Sequence, residues 1–181
     1  MKLSVIIPIF NRSDLFTLGL ASLVNQGFRD WELVLVDDQS TEDLSKVYSM
    51  FPIKVQHIRI DPRNHPAYSG YHTPALAINI GIRHARGDVI CITQPEILHD
   101  SGNLERGYDH AKQGGFVFGK VQLTTKPFTK YIRDHQEEPF GQLWQKGIDF
   151  GSTVFPDNEL YWYVAFVYKK YADLIQGVDE E

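Results

Sequence analysis

The stretch Leu3-Ser4-Val5-Ile6-Ile7-Pro8 decides the fold. It is a continuous, apolar, β-branched run, which suits a strand covered on both faces, the situation of a central strand in a parallel sheet. Working outward, Ser13 is placed to cap a helix, and Phe16, Leu20, Leu23 and Val24 recur at helical spacing until Gln26-Gly27 stops it. The pattern then repeats. Residues 32–36 read as a second strand, Ser40 and Asp43 stand in capping-box positions, and an amphipathic segment follows over 47–51. Residues 53–60 supply a third strand, a loop rich in Pro, His and Tyr starts at Asp61, and Ile78, Ile82 and Ala85 mark one face of a helix ending at Gly87. Residues 88–93 make a fourth strand.

Strands and helices alternating in this way predict an α/β fold with a parallel sheet and right-handed crossovers. Ligands in such sheets bind beyond the carboxyl ends of the strands, at a switch point. Three loops therefore attract attention: residues 9–12, 37–40 and 94–99, all expected on one edge. Further on, the spacing predicts a helix over 103–113, a strand over 116–123, a strand over 160–168 and a short helix over 169–176. The intervening stretch, 124–159, mixes prolines, charges and aromatics and reads as a long irregular segment, either an insertion or a binding loop.

Composition sets outer limits. With 181 residues and 43% hydrophobic content the chain can bury one core, and a single domain is expected. Eighteen basic residues against 23 acidic ones leave a formal charge of −5, which offers no broad positive field for a nucleic-acid backbone. Cys91, inside an apolar run, reads as a buried thiol and fits a reducing compartment. The apolar N-terminal run ends in proline without a small-residue cleavage site, so it reads as a strand rather than a signal peptide. No run reaches the roughly eighteen apolar residues of a membrane-spanning helix, and a soluble chain is expected.

The segments SVIIPIFNR (4–12), SLVNQ (22–26) and WELVLVDDQSTED (31–43) resemble the opening of family-two glycosyltransferases in wording and spacing. The resemblance continues through NIGIRHARGDVICI (79–92) and ends at GVDEE (177–181), which is similar to that family's GFDE segment. It implies a Rossmann-like GT-A fold, a central mostly parallel sheet flanked by helices. Residues 1–181 would form one domain, with a nucleotide-sugar-binding half over 1–100 and an acceptor-side half over 101–181 that is truncated at its C-terminus. The implied activity is transfer of a sugar, with inversion, from a nucleotide sugar to an acceptor hydroxyl. UDP is the default carrier, and a saccharide or glycolipid is the acceptor. Polysaccharide assembly is the implied setting, with cytoplasmic use of the donor and peripheral contact at the inner membrane face left open.

A uracil ring presents an imide N–H that a fixed carboxylate accepts well. The resemblance assigns this role to Asp38 first and Asp37 second, with Asp37 equally suited to capping the following turn. It also implies close backbone contact of Pro8, Ile9 and Asn11 with the nucleoside, although Asn11 also suits an ordinary turn. The leaving diphosphate needs a divalent cation, Mn2+ or Mg2+, or positioned donors. Where the family carries Asp-x-Asp, this chain reads Gln94-Pro95-Glu96. The retained Glu96 is the expected metal ligand, since magnesium often takes only one or two protein carboxylates plus phosphate oxygens and water. Gln94 offers a carbonyl oxygen toward the nucleotide, and His99 reads either as a metal ligand or phosphate donor or as a hydrogen-bonded loop residue.

A second departure is Ile78, where the family often has arginine before the asparagine retained here as Asn79. Arg63, His65 and His72 are candidate replacements for that cation, or solvated surface groups. Asn79 is expected to turn toward the nucleotide, and Gly81 to let its helix pack close to the sheet. The resemblance implies a catalytic base in an acidic motif somewhat past GFDE, so Asp179 and Glu180 are the nearest matched acids and the base itself is expected beyond the chain. Trp144, Tyr161 and Trp162 are candidates for stacking on a sugar or for the core. The rival readings are a noncatalytic nucleotide-sugar or carbohydrate-binding relative, a receiver-like domain, and a nucleotidyltransferase. The acidic pair follows the second strand rather than the first, against a receiver, and IPIFNR is no glycine-rich phosphate loop.

Overall fold

A computed structural model describes residues 1–61, 74–135, 143–154 and 163–174. The apolar runs become β1 (Leu3–Ile9), β2 (Trp31–Asp37), β3 (Val55–Arg59) and β4 (Val89–Thr93), all mutually parallel. Between them stand α1 (Ser13–Val24), α2 (Ser45–Tyr48) and α3 (Pro74–His84). Two later strands, β5 (Phe116–Phe118) and β8 (Val164–Tyr168), complete a six-stranded sheet of order β3-β2-β1-β4-β8-β5, with β8 antiparallel to both neighbours. The α/β, mostly parallel expectation therefore holds.

β1 is buried at every position because both of its faces are covered. On one face Leu3, Val5 and Ile7 pack with Phe16, Leu20 and Leu23 of α1 and with Leu104 of α4 (Asn103–Lys112). On the other, Ile6 meets Ala77, Ile78 and Ile82 of α3. Each such fully buried aliphatic side chain contributes about 1.5–3 kcal/mol relative to exposure. Gly81 lies so close to the sheet that an added Cβ would come within 2.4 Å of Ile6 Cγ2, which is the close packing expected there. The sheet's amino-terminal end is closed by polar groups: Ser4 Oγ donates to Glu32 Oε1 at 2.8 Å, and the amides of Arg86 and Gly87 donate into the same pair.

Three expectations need correction. The helix starts at Ser13, but its side chain does not cap it; the cap position is Arg12, in left-handed backbone, and the Ser13 amide donates to Glu42 Oε2 at 2.7 Å. Ser40 and Asp43 likewise form no capping box: α2 begins at Ser45, and Asp43 receives the Ser45 amide and hydroxyl. The strand read over 116–123 is broken at Gly119 into β5 and β6 (Gln122–Leu123), which pairs with β7 (Thr153–Val154) in a separate two-stranded sheet.

Part of the stretch read as irregular is helical, as α5 (Lys126–Asp134) and α6 (Leu143–Asp149). Thr125 caps α5 by accepting the Phe128 amide, Pro127 stands in its first turn where a missing N–H costs nothing, and Phe128 and Ile132 bury one face. The last helix, α7 (Lys169–Leu174), packs its Ala172 into the α3 side of the core. Among the described residues no helix is long and apolar enough to cross a membrane.

Candidate functional site

The chain runs β1 to β3 outward in one direction and then returns to place β4 on the other side of β1. The sheet therefore has its switch point between the carboxyl ends of β1 and β4, the place where sheets of this kind form a binding crevice. Pairing of β1 with β4 stops at Ile6↔Ile92, whereas pairing with β2 continues to Ile9↔Asp37. Pro8 and Ile9 thus project past β4 with one backbone edge facing that crevice. Pro8, which has no N–H, sits where no β4 ladder bond is required.

The three predicted loops do meet on one edge. The amide of Asn11 donates to Ser40 Oγ at 2.8 Å, and Asn11 Oδ1 accepts from the Thr41 amide at 2.9 Å. The Asp38 amide donates to Ile9 O at 2.8 Å. Across the switch point, Arg12 Nη1 donates to Glu96 Oε1 at 2.8 Å. Asn11 and Arg12 are consecutive non-glycine residues in left-handed backbone, with φ of 57° and 65°. Asn tolerates this conformation; for Arg it costs about 1–2 kcal/mol. The bonds to Ser40, Thr41 and Glu42 hold the strained turn and aim the arginine at Glu96.

The loop after β4 is fastened from beneath by α1. Gly19 is so near that an added Cβ would sit 2.3 Å from Pro95 O. Ser22 Oγ accepts the His99 amide at 2.9 Å, while Gln26 donates to His99 O and accepts the Asn103 amide at 3.0 Å. Ser22 and Gln26 of the SLVNQ segment therefore clamp the loop at His99 and Asn103, and Gly19 seats it at Pro95.

Asp37, which ends β2, and Asp38 after it are both buried. Asp37 is fully buried; its Oδ1 accepts the Ser40 amide at 2.7 Å, and its Oδ2 meets Arg59 at 3.1 Å and His57 Nε2 at 3.5 Å. This is the turn-capping arrangement read above as one alternative for Asp37; Asp38, next in sequence, is 6% exposed. Asn79 is buried on α3, Gln94 is half-buried and Glu96 is exposed.

His99 is not available as a metal ligand or phosphate donor. It is 1% exposed, its Nδ1 accepts from Asn103 Nδ2 at 2.9 Å, and its Nε2 lies 3.1 Å from Thr93 Oγ1, so both ring nitrogens are engaged. Burial pushes its pKa down to about 4, keeping the ring neutral. Burial likewise pushes the Cys91 thiol up, as expected of an inert core cysteine. No group of three or more His, Cys, Asp or Glu side chains among the described residues is placed to hold a metal. What remains is the Glu96 carboxylate with the Gln94 amide two residues before it. That sparse oxygen set fits a hard divalent ion that also takes phosphate oxygens and water, and does not fit an all-protein cage.

A cavity of about 810 Å³ adjoins Glu96. Leu18 and Phe128 are among its apolar walls, and Arg106 and Lys120 also line it. Two of its lining residues carry buried polar atoms without a hydrogen-bond partner among the described residues, Asp100 Oδ1 and Gln122 Nε2. These groups come from separate segments, and no local sequence pattern marks them. Arg12 was likewise not singled out, because its partner Glu96 lies 84 positions away. Arg63, His65, His72, Tyr161, Trp162, Asp179 and Glu180, and the side chain of Trp144, lie outside the described residues.

Comparison with known proteins agrees with this architecture. A Campylobacter jejuni GalNAc(5)-diNAcBac-PP-undecaprenol beta-1,3-glucosyltransferase is 46% identical over 126 residues, covering 67% of this chain and 38% of that protein. A Bacillus spizizenii poly(ribitol-phosphate) beta-glucosyltransferase is 31% identical over 126 residues, covering 67% of this chain and 19% of its own length. The chain thus spans well under half of these relatives. Among solved structures, a Pyrobaculum calidifontis mannosyltransferase in complex with GDP-Man and Mn2+ superposes with a TM-score of 0.63 at 18% identity, over 98% of this chain and 47% of that one. S. aureus TarS 1-349 in complex with UDP-GlcNAc gives 0.53 at 16% identity, over 89% and 57%. These likenesses show the shared GT-A fold. Residues 4–172 match the family model described as Glycosyl transferase family 2, and the chain belongs to that family.

Proposed function

We propose that this chain binds a nucleotide sugar, with UDP as carrier, across the β1–β4 switch point and transfers the sugar with inversion to an acceptor hydroxyl. The observation that carries this reading is the convergence of residues 9–12, 37–40 and 94–99 on one edge, fastened by Asn11–Ser40 and Arg12–Glu96. Asp38 accepts the imide N–H of the base, the backbone at Pro8 and Ile9 lies along the nucleoside, and Asn11 sets the turn. Asn79 and Gln94 complete the nucleotide contacts. Glu96 would hold a divalent ion, Mn2+ or Mg2+, which would supply positive charge to a departing diphosphate. The names of the relatives support the reading: one is a glucosyltransferase acting on an undecaprenol-linked saccharide, and TarS has a UDP-GlcNAc complex.

The acceptor occupies the cavity beside Glu96. Its unmatched Asp100 Oδ1 and Gln122 Nε2 offer one acceptor and one donor to a saccharide's hydroxyls, and its apolar walls suit the nonpolar faces of a sugar or a glycolipid. A carboxylate must take the proton from the attacking hydroxyl; Asp179 and Glu180 are the candidates within the chain, alongside an acid further along a longer protein. Residues 1–181 act as one unit, a donor half over 1–100 and an acceptor half over 101–181. The donor is used in the cytoplasm, and a glycolipid acceptor would bring the chain to the inner membrane face.

Calorimetric titration with UDP and GDP, each with Mn2+, Mg2+ or chelator, tests the donor assignment. UDP binding that requires metal and is lost in Glu96→Ala supports it; binding of neither nucleotide overturns it.

A further inference from the structure

We infer that Arg12 is an exchangeable counter-ion at this site: it occupies Glu96 before the donor arrives, yields that carboxylate to the divalent ion, and turns to the diphosphate. The inference rests on the donor-site reading above and adds a residue and an order of events to it. Three observations support it. First, Arg12 reaches Glu96 at 2.8 Å across the switch point, and Glu96 is the one carboxylate in the Gln94-Pro95-Glu96 turn, so a divalent ion arriving there meets a guanidinium already in place. Second, the pair is open to water, with side-chain exposures of 56% and 34%, and exposed ion pairs are weak enough to give way to a stronger cation.

Third, the arginine is not a casual surface side chain. It projects from two consecutive left-handed residues pinned by Ser40, Thr41 and Glu42, so its backbone stays in place when its side chain swings. A guanidinium released from Glu96 can take phosphate oxygens, because its planar fork matches them and never loses its proton.

The exchange predicts effects of opposite sign from one substitution. Mn2+ binding to the chain is followed by electron paramagnetic resonance without nucleotide, and UDP binding is followed by calorimetry at saturating Mn2+, for the wild type, Arg12→Gln and Arg12→Lys. Circular dichroism melts check that each variant folds. In Arg12→Gln, Mn2+ alone should bind roughly twofold to fivefold more tightly, because Glu96 is freed, and UDP should bind about tenfold more weakly, because a charged phosphate contact is lost. Arg12→Lys should recover much of the UDP affinity. Unchanged or weaker Mn2+ binding in a folded Arg12→Gln, or unchanged UDP affinity, overturns the exchange. If the wild type binds no UDP while Arg12→Gln still gains Mn2+ affinity, the donor-site reading falls and the counter-ion role at Glu96 stands.

Discussion

The backbone amide of Asn11 donates to Ser40 Oγ at 2.8 Å, joining the turn after β1 to the turn after β2. Ser40 is itself placed by its own amide, which donates to the buried Asp37 carboxylate. Ser40→Ala removes an acceptor from a strained turn, and a loss of about 1–2 kcal/mol is expected. For a chain of this size that lowers Tm by a few degrees. UDP affinity should fall severalfold with it. Thermal melts and calorimetry on the same sample check both, and an unchanged UDP affinity would show that this turn does not shape the site.

Asp37 and Asp38 should separate cleanly on substitution. Asp37→Asn disturbs a fully buried group that meets Arg59 and His57, so it should cost about 1–3 kcal/mol in urea denaturation. Asp38→Asn should cost less stability but weaken UDP binding about tenfold, since a charged acceptor to the base is lost. The reverse pattern would transfer the base contact to Asp37.

Gly19 tests how the acidic turn is held. Gly19→Ala would bring Cβ to 2.3 Å from Pro95 O, a backbone atom that cannot swing aside. A loss of about 1–3 kcal/mol is expected, with weaker Mn2+ binding because Glu96 moves with its loop. Gly27→Ala, which meets nothing within 4 Å, is the matched control and should lack the steric penalty.

His99 makes stability depend on pH. Its folded pKa, near 4, lies below the usual histidine value, so between about 6.5 and 4 the unfolded chain binds the extra proton and stability falls as pH falls. The contribution is fully present above about 6.5 and amounts to about 3 kcal/mol over the window. His99→Gln should be less stable at neutral pH, having lost the contacts to Thr93 and Asn103, yet show a shallower decline toward pH 4. Parallel Tm-against-pH curves for the two proteins would contradict this.

How much of this was legible beforehand follows from which interactions are local. The runs at Leu3–Ile9 and Trp31–Asp37 announced a doubly covered sheet because burial on both faces demands unbroken apolar sequence. The edge carrying the three loops followed from their alternation with helices. Helix α5 was missed because a short amphipathic turn among prolines and charges looks irregular, although Thr125, Pro127 and the Phe128–Ile132 spacing were its signals. The role of His99 was undecidable because Thr93, Asn103 and the α1 clamp surround it only in three dimensions. The Arg12–Glu96 pair joins residues 84 positions apart, and only the sheet order brings them together.

The central claim is that the nucleotide lies across the β1–β4 switch point with its diphosphate at Glu96. A crystal structure of the chain with UDP and Mn2+, using the manganese anomalous signal, tests it most directly. Uracil against Asp38, a manganese peak at Glu96 and Arg12 turned from that carboxylate to the phosphates are the expected result. UDP lodged in the cavity between Leu18 and Phe128, or manganese bound away from Glu96 with Arg12 still paired to it, would contradict the account.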